Sequence, residues 1–469
     1  MNPAIFKAYD IRGTYPEEIN ESIAYKIGQA YVQTIKPEGK VAVGMDVRLS
    51  SPVLKKAVIL GLIDAGIDVM DIGLISTEML YFAVGSYNLA GGIVVTASHN
   101  PAEFNGMKMV KTGAAPISSD NGIFEIRDLV MADTKISAPT KGKVEAKDIM
   151  SDFANYMLKY VDRDKIKPTK IVANANFGYE AVVLREVIKA GNLPITIVGL
   201  NDVPDGSFPK GRPDPFLPEN RPEFVELVKN SGADFGAAWD ADADRVFFCT
   251  GKGKFVDSYF MSAAMIAYIL QKSPGETIIH DPRYTWALID SAKENGGKAL
   301  LERVGHSFIK ARMRKDNAIF SGESSGHTYF REFWYADSGI IPLLLVLEMI
   351  SSKGETLDEI LEPYFKRYFI SGEFNNKVTD SAATMAKIEA NFSDAEISKI
   401  DGLSIEYPEW RASIRSSNTE PLLRLNVEAK SEKLMEEKRD LLLQMIQQSQ
   451  AILLEDNFSG SIFECIITL

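Results

Sequence analysis

The chain has 469 residues, 45% hydrophobic and 25% charged, an ordinary globular composition far from a disordered or fibrous one. At roughly 100–200 residues per domain this length predicts three or four units with cores of their own, which excludes a single small binding module. A net charge of −12 at pH 7 argues against a nucleic-acid binder or a protein held on anionic lipid, and requires any anionic ligand to meet a local basic patch.

The N-terminus, MNPAIFKAYDIRG, has Lys7 and Asp10 where a signal peptide needs an unbroken apolar stretch. Cys249 and Cys465, the two cysteines, form neither a disulfide framework nor a thiolate zinc site and suit a reducing compartment, so the cytosol is the expected location. Three segments then repeat one grammar: apolar run, polar loop, amphipathic stretch, glycine stop, apolar run. The first is Val41 to Ser50, a helix through about Asp64, then Ile67 to Gly73. The second is Ile171 to Gly178, a helix ending at Ala190-Gly191, then Ile195 to Gly199. The third is Thr277 to Tyr284, a helix ending at Gly296-Gly297, then Ala299 to Gly305. Such βαβ repeats predict an α/β fold with mixed or mainly parallel sheets covered by helices, and ligand groups on loops beyond the strand ends.

A stretch without periodicity, Ala132 to Lys147, suggests a linker near residue 150, before a helix predicted over Ser151 to Tyr160. Gly251 to Phe255 reads as a tight turn and a second junction. The apolar run Gly339 to Leu347 is far shorter than the ~20 residues that span a bilayer and predicts a buried helix. After Phe369 come a helix near Ala382 to Asn391, two strand-like runs and a charged helix from Ser431, which predict a smaller α+β domain. The expected units are 1–150, 151–253, 254–369 and 370–469. The final segment, Ser459 to Leu469, reads as a last strand or a packing tail.

Four loops carry the candidate chemistry. Ser98 follows an apolar run and precedes Asn100-Pro101, a strong turn signal, so it is presented at a strand end. No G-x-S-x-G elbow surrounds it, and the adjacent His99 needs an unusual loop geometry to act as its base, so acyl-enzyme chemistry is not expected. Asp240, Asp242 and Asp244, spaced by Ala241 and Ala243 and followed by Arg245, repel one another unless a cation neutralises them. All-oxygen ligation selects Mg²⁺ or Ca²⁺. An EF-hand is excluded, because Arg245 and Gly251 stand where that loop requires glycine and a bidentate glutamate. Glu323, Ser324, Ser325 and His327 offer the acceptors and donors that sugar hydroxyls need. Arg415, Ser416, Ser417, Asn418 and Thr419 concentrate a guanidinium, hydroxyls and an amide that can wrap a phosphate. No glycine-rich nucleotide fingerprint is present. One loop from each predicted unit points to phosphoryl transfer to or from a phosphosugar.

TASHNP, DADADR, GESSGH and RSSNTEP, in this order, resemble the four signature loops of the α-D-phosphohexomutase superfamily, and the likeness covers essentially the whole chain. Within it, KAYDIRG, NGMKMV, IIHDPR, VGHSFIK and SNTEPLLRLNVEA look most like bacterial phosphomannomutase/phosphoglucomutase enzymes. The resemblance implies three tandem mixed-sheet α/β domains plus a smaller C-terminal α+β domain around a central cleft. It also implies interconversion of hexose 6-phosphates and 1-phosphates, mannose above all, through a phosphoserine and a hexose bisphosphate. By this likeness Ser98 carries the phosphoryl group and Asp240, Asp242 and Asp244 share Mg²⁺ with it. Arg12, Lys108 and Arg245 match basic residues around the transferring group, and His306 a histidine near the reacting end of the sugar. Glu323 and Ser325 match the pair that binds hexose O3 and O4, with Arg283 and His327 beside them. Arg415, Ser417, Asn418 and Thr419 match the clamp on the other phosphate. Ala241 and Ala243 replace glycines of many relatives, which makes positive φ less accessible there. Arg283 replaces a lysine of some members. Glucose or glucosamine phosphates as substrates, a metal-dependent phosphatase, and a monomer or homodimer remain open alternatives; neither a nucleic-acid nor a membrane partner is expected.

Overall fold

The structure, a computed structural model, describes residues 1–416 and 422–462. Four sheets follow one another along the chain. The apolar run at Val41 forms the strand Val41–Met45, flanked in parallel by Gly91–Val95 and Val69–Leu74 inside a seven-stranded sheet. Its neighbours on both sides account for a nearly continuous apolar sequence rather than an alternating one. The second sheet pairs Thr169–Asn174 in parallel with Ile195–Leu200 and Phe235–Trp239, then runs antiparallel through Val246–Thr250 and Phe255–Val256. Gly251–Lys254 make the turn expected there. A third sheet sets Thr277–His280 parallel to Lys298–Leu301 and Phe320–Gly322, with an antiparallel return through Thr328–Phe330. All four are thus strand-and-helix units, the first three with mixed sheets and the last a wholly antiparallel sheet of six strands.

Local signals set the helix ends. Asn20 caps Glu21–Ile35 by accepting from the Ile23 amide, and Thr356 and Glu359 form a reciprocal capping box on Leu357–Arg367. Gly339 to Leu347 belongs to the helix Ile340–Lys353, whose first twelve residues are all buried, as an all-round apolar helix must be. The helix expected over Ser151 to Tyr160 is Met150–Met157 followed by a 3₁₀ turn. Ala299 to Gly305 is strand only through Leu301; Glu302 to Gly305 form a loop that leads into the helix His306–Asp316. The C-terminal helix, Glu432–Ile462, takes in the first residues of the terminal segment, so Ser459 to Ile462 are not a strand. Phe463 to Leu469, with Cys465, lie outside the described residues.

One apolar core runs without interruption from the first sheet to the third, through Val94, Trp239, Phe320 and Leu344. The fourth unit has a separate core around Ile405, Leu425 and Leu442. It meets the third unit through polar groups instead. Buried Glu428 accepts the Tyr259 hydroxyl and the amides of Thr285 (3.0 Å) and Trp286 (3.4 Å), while Arg411 donates to the carbonyls of Pro282 (3.0 Å) and Arg283 (3.1 Å).

Where the first three units converge, two carboxyls are buried face to face: Glu78 on the helix Thr77–Ser86 and Glu180 on Glu180–Gly191. The Ser338 hydroxyl donates to Glu78, and Glu180 faces Glu78. Burial pushes the Glu78 pKa up to about 7 and, with Glu78 beside it, that of Glu180 well above the carboxylate range. A carboxyl whose folded pKa is raised stabilises the fold below about 4.5, and that contribution is lost as pH climbs to about 7, because the unfolded chain releases the proton first. Glu78→Gln, which can still accept from Ser338 and can donate to Glu180, is expected to melt higher than the wild type by on the order of 2 °C at pH 8. The gap should close toward pH 5, as read from melting curves across that range.

Candidate active site

Ser98 lies just beyond the strand Gly91–Val95, on a loop whose first turn is held by its amide donating to Thr96 Oγ1 (2.9 Å). Its φ of +51° is the left-handed region that side chains disfavour. That conformation sends the hydroxyl across to the second unit, where Oγ donates to Asp240 Oδ2 at 2.9 Å. It also brings His99 Nδ1 to 3.1 Å from the same oxygen. The left-handed backbone of Ser98 supplies the unusual loop geometry that a contact between adjacent side chains demands. Burial and the nearby Arg245, Arg12 and Arg212 guanidiniums hold the His99 pKa well below the ordinary histidine value, so the ring is neutral.

A scaffold absent from the sequence reading holds this loop. Arg48, buried among the first unit's loops, donates to the carbonyls of Ser98 (2.7 Å), Asn100 (2.6 Å), Pro101 (2.6 Å) and Phe104 (3.0 Å). Asp46 faces its Nε at 3.2 Å, and the Phe208 ring of the second unit lies under the guanidinium. The pattern D-x-R in MDVRLSS was the available signal, but nothing local says which loop an arginine will wrap.

The acidic loop joins Phe235–Trp239 to Val246–Thr250. Asp240, Asp242 and Asp244 bring carboxylate oxygens within 4.8 Å of one another, all buried. Ala243 adopts φ +59°, so the alanine expected to resist positive φ takes it, at a cost of roughly 1–2 kcal/mol. The loop is pinned by its neighbours: a Cβ at Gly339 would come within 2.5 Å of the Ala243 carbonyl, and only glycine permits that approach. Arg245 grips Asp240 Oδ2 with Nε (2.9 Å) and Nη2 (2.8 Å). From the first unit, Lys108 pairs with Asp242 (2.6 Å) and Asp244, and Thr77 Oγ1 donates to Asp242 (2.7 Å). Burial raises the Asp240 pKa to about 7 against the pull of Arg245. Asp244 goes the other way: burial is outweighed by Lys108, His327 and Arg245, which hold it well below the carboxylate range. Asp242 Oδ1 and Asp244 Oδ1 are buried without hydrogen-bond partners among the described residues. Unsatisfied carboxylate oxygens converging in a buried pocket are the donor set a hard divalent cation takes, so these residues fit one.

Arg12 donates to Asp10 (2.8 Å) and to Asn100 Oδ1 (2.7 Å) in the Ser98 loop. The third unit contributes the turn between Phe320–Gly322 and Thr328–Phe330. Glu323 there accepts from Tyr329 and faces Arg283 (3.4 Å), which is bound more closely to Asp281 (2.7 Å). Ser325 Oγ meets His327 Nδ1 at 3.1 Å, and His327 Nε2 is 3.5 Å from Asp244 Oδ1, tying this turn to the acidic loop. The His306 ring stacks 6.3 Å from that of His327 and meets Tyr9 of the first unit edge-on at 5.0 Å. Arg415, buried at the end of Trp410–Ser416, faces Glu373 at 3.5 Å. Ser417, Asn418 and Thr419 lie outside the described residues. The described candidates therefore gather into one continuous network from Arg12 to Glu323, with Arg415 at its far side near Arg283.

Four α/β units that converge on a serine, an acidic triad and a polar turn define an enzyme of the phosphohexomutase class. Models described as phosphoglucomutase/phosphomannomutase alpha/beta/alpha domains I, II and III match residues 3–136, 150–253 and 257–368, and the C-terminal domain model of the same family matches 373–444. The chain belongs to the phosphoglucomutase/phosphomannomutase family. It is 45% identical over 441 residues to "Phosphohexose mutases" of Xanthomonas campestris pv. campestris, covering 94% of this chain and 98% of the relative. It is 43% identical over 451 residues to a phosphomannomutase of Escherichia coli, covering 94% and 99%. A solved phosphoglucomutase/phosphomannomutase family protein from Burkholderia thailandensis superposes with a TM-score of 0.86 at 30% identity, over 96% of this chain and 98% of that one.

Replacing Arg48 by Met strips four carbonyls and Asp46 of their partner. Breaking such a buried charge network costs about 3–5 kcal/mol, and turnover is expected to fall by about 100-fold or more as the Ser98 loop relaxes. Arg48→Lys, which cannot reach four carbonyls, should fall between; melting curves and initial rates check both.

Proposed function

We propose that the protein is a phosphomannomutase, interconverting mannose 6-phosphate and mannose 1-phosphate in the cytosol through a phosphoserine at Ser98 and a hexose bisphosphate. The four units at 1–150, 151–253, 254–369 and 370–469 each supply one loop. One observation carries the reading: the Ser98 hydroxyl, held in a strained backbone, hydrogen-bonds to Asp240 inside a buried triad of carboxylates from another unit. Relatives at 40–45% identity, phosphohexose mutases and phosphomannomutases, support it.

In this mechanism the phosphoserine O–P bond breaks as the oxygen of a free sugar hydroxyl bonds to phosphorus, and the hydroxyl proton passes to a neighbouring base. The bisphosphate then turns end for end, and its other phosphoryl group returns to Ser98. Lys108, Arg12 and Arg245 neutralise the charge spread over the transferring group, which is mostly a task of positioning and electrostatics. His306 stands at the reacting end of the sugar. Glu323 and Ser325 bind O3 and O4 with Arg283 and His327 beside them, while Arg415, Ser417, Asn418 and Thr419 hold the other phosphate. Mg²⁺ held by Asp240, Asp242, Asp244 and the Ser98 phosphate would supply further charge neutralisation. Mannose and glucose differ only at C2, which the O3/O4 pair does not read, so that pair does not discriminate between mannose and glucose phosphates.

Intact-protein mass spectrometry is expected to find one phosphate adduct, lost in Ser98→Ala. That variant should lose mutase turnover by ~10³-fold or more while still binding hexose phosphate. Retained turnover would remove Ser98 from its role, and release of inorganic phosphate without isomer conversion would make the protein a phosphatase. Chelation should abolish interconversion, and resupplied Mg²⁺ should restore it.

A further inference from the structure

The connection from the strand Ile195–Leu200 to the helix Pro222–Ser231 is rich in proline and glycine and has little secondary structure of its own. Connections that long are uncommon inside a compact domain and usually serve a site they approach. This one lies against the first unit: Gly206 pairs with Arg48, and a Cβ at Gly206 would come within 2.0 Å of the Val47 carbonyl. Its far half is braced by Asn220 Nδ2, which donates to the carbonyls of Arg212 and Asp214 (2.9 Å each). Arg212 then reaches back to the first unit. Its Nε donates to the His99 carbonyl at 3.1 Å, and its Nη2 lies 3.0 Å from Asp214. Asp214 is buried and stands 3.8 Å from Arg245 Nη1. Arg245 holds Asp240, which accepts the Ser98 hydroxyl, so a ring of contacts closes through Ser98, His99, Arg212, Asp214, Arg245 and Asp240. Three successive carbonyls of the serine loop are each taken by a guanidinium, those of Ser98 and Asn100 by Arg48 and that of His99 by Arg212. The Arg212 side chain is 40% exposed, so shortening it opens no cavity in a core.

We propose that Arg212 is a positioning residue: it latches the Ser98 loop to the second unit at the one carbonyl of the three that Arg48 leaves free, and thereby keeps the phosphoryl group of the phosphoserine from water. The proposal rests on the mutase reading above and adds to it a residue outside the groups assigned to that chemistry. The left-handed backbone of Ser98 persists only while its surroundings over-determine it. Fixing the carbonyls of Ser98 and His99 from two different units sets the peptide planes that follow the serine, and with them the direction of Oγ toward Asp240. The competing reaction needs only water. Its oxygen bonds to phosphorus as the Ser98 O–P bond breaks, inorganic phosphate leaves, and a water proton ends on the serine oxygen. Each such event removes the enzyme from the cycle until a bisphosphate recharges it, so a loop held against the second unit favours transfer to sugar over transfer to water.

The full-length enzyme is charged with mannose 1,6-bisphosphate and Mg²⁺, freed of sugar phosphate, and followed over time by intact-protein mass spectrometry, with initial rates on mannose 1-phosphate and melting curves alongside. Arg212→Met is expected to shorten the half-life of the phosphate adduct roughly 10-fold, the size of one charge-assisted hydrogen bond, with KM changed by less than about twofold. Arg212→Lys, which keeps the charge but not the planar fork, should recover part of the half-life. An equal half-life in the wild type and both variants would overturn the latch, as would an effect confined to KM. Full recovery in Arg212→Lys would assign the effect to charge alone and overturn it too. A lowered melting temperature with an unchanged half-life would leave Arg212 a purely structural residue, again against the proposal. If the charged wild type carries no adduct at Ser98, the mutase reading falls and the proposal with it; an adduct whose half-life ignores substitution of Arg212 sinks the proposal alone.

Discussion

Three carboxylates of one short loop are buried together, and the rest of the molecule is arranged to make that burial tolerable. Ionised carboxylates this close cannot be removed from water without partners. Arg245 is supplied by the loop itself, but Lys108 and Thr77 come from the first unit and His327 from the third. The acidic loop is therefore electrostatically complete only when three units are docked. The same condition builds the candidate active site, so docking and site assembly are one event.

Docking is enforced by a shared apolar core and by close backbone approach, as at Gly206 against the Val47 carbonyl and Gly339 against that of Ala243. Two residues of the candidate active site, Ser98 and Ala243, hold positive φ. Strain of this kind persists only where surroundings over-determine it. Arg48 does so for the serine loop by collecting four carbonyls around one guanidinium, and the flanking buried strands do so for the acidic loop.

The fourth unit is attached differently. It has a core of its own, and its contact with the third unit includes buried polar groups, Glu428 and Arg411 against backbone amides and carbonyls around Pro282 to Trp286. Those contacts lie next to Arg283, so the position of the antiparallel sheet and that of Arg283 are mechanically joined.

Much was legible in the sequence because it is local. Apolar runs such as Val41 to Met45 and Ile171 to Asn174, helix caps and glycine stops specify elements by short-range physics, and the repeated strand–helix–strand grammar specifies an α/β class. The acidic loop was legible for the same reason, since three aspartates in five residues repel one another unless cationic groups neutralise them, whereas the roles of the other candidate loops came from the family resemblance. Tertiary structure alone decided what those loops meet. That Lys108 reaches Asp242 and Asp244 across 134 and 136 residues, that Arg48 wraps the Ser98 loop, that His99 turns onto Ser98, and that Arg212 reaches the His99 carbonyl are consequences of long-range docking. No spacing along the chain encodes them, because a guanidinium or an ammonium is satisfied by any carboxylate or carbonyl, and only the packed backbone selects which one lies within reach.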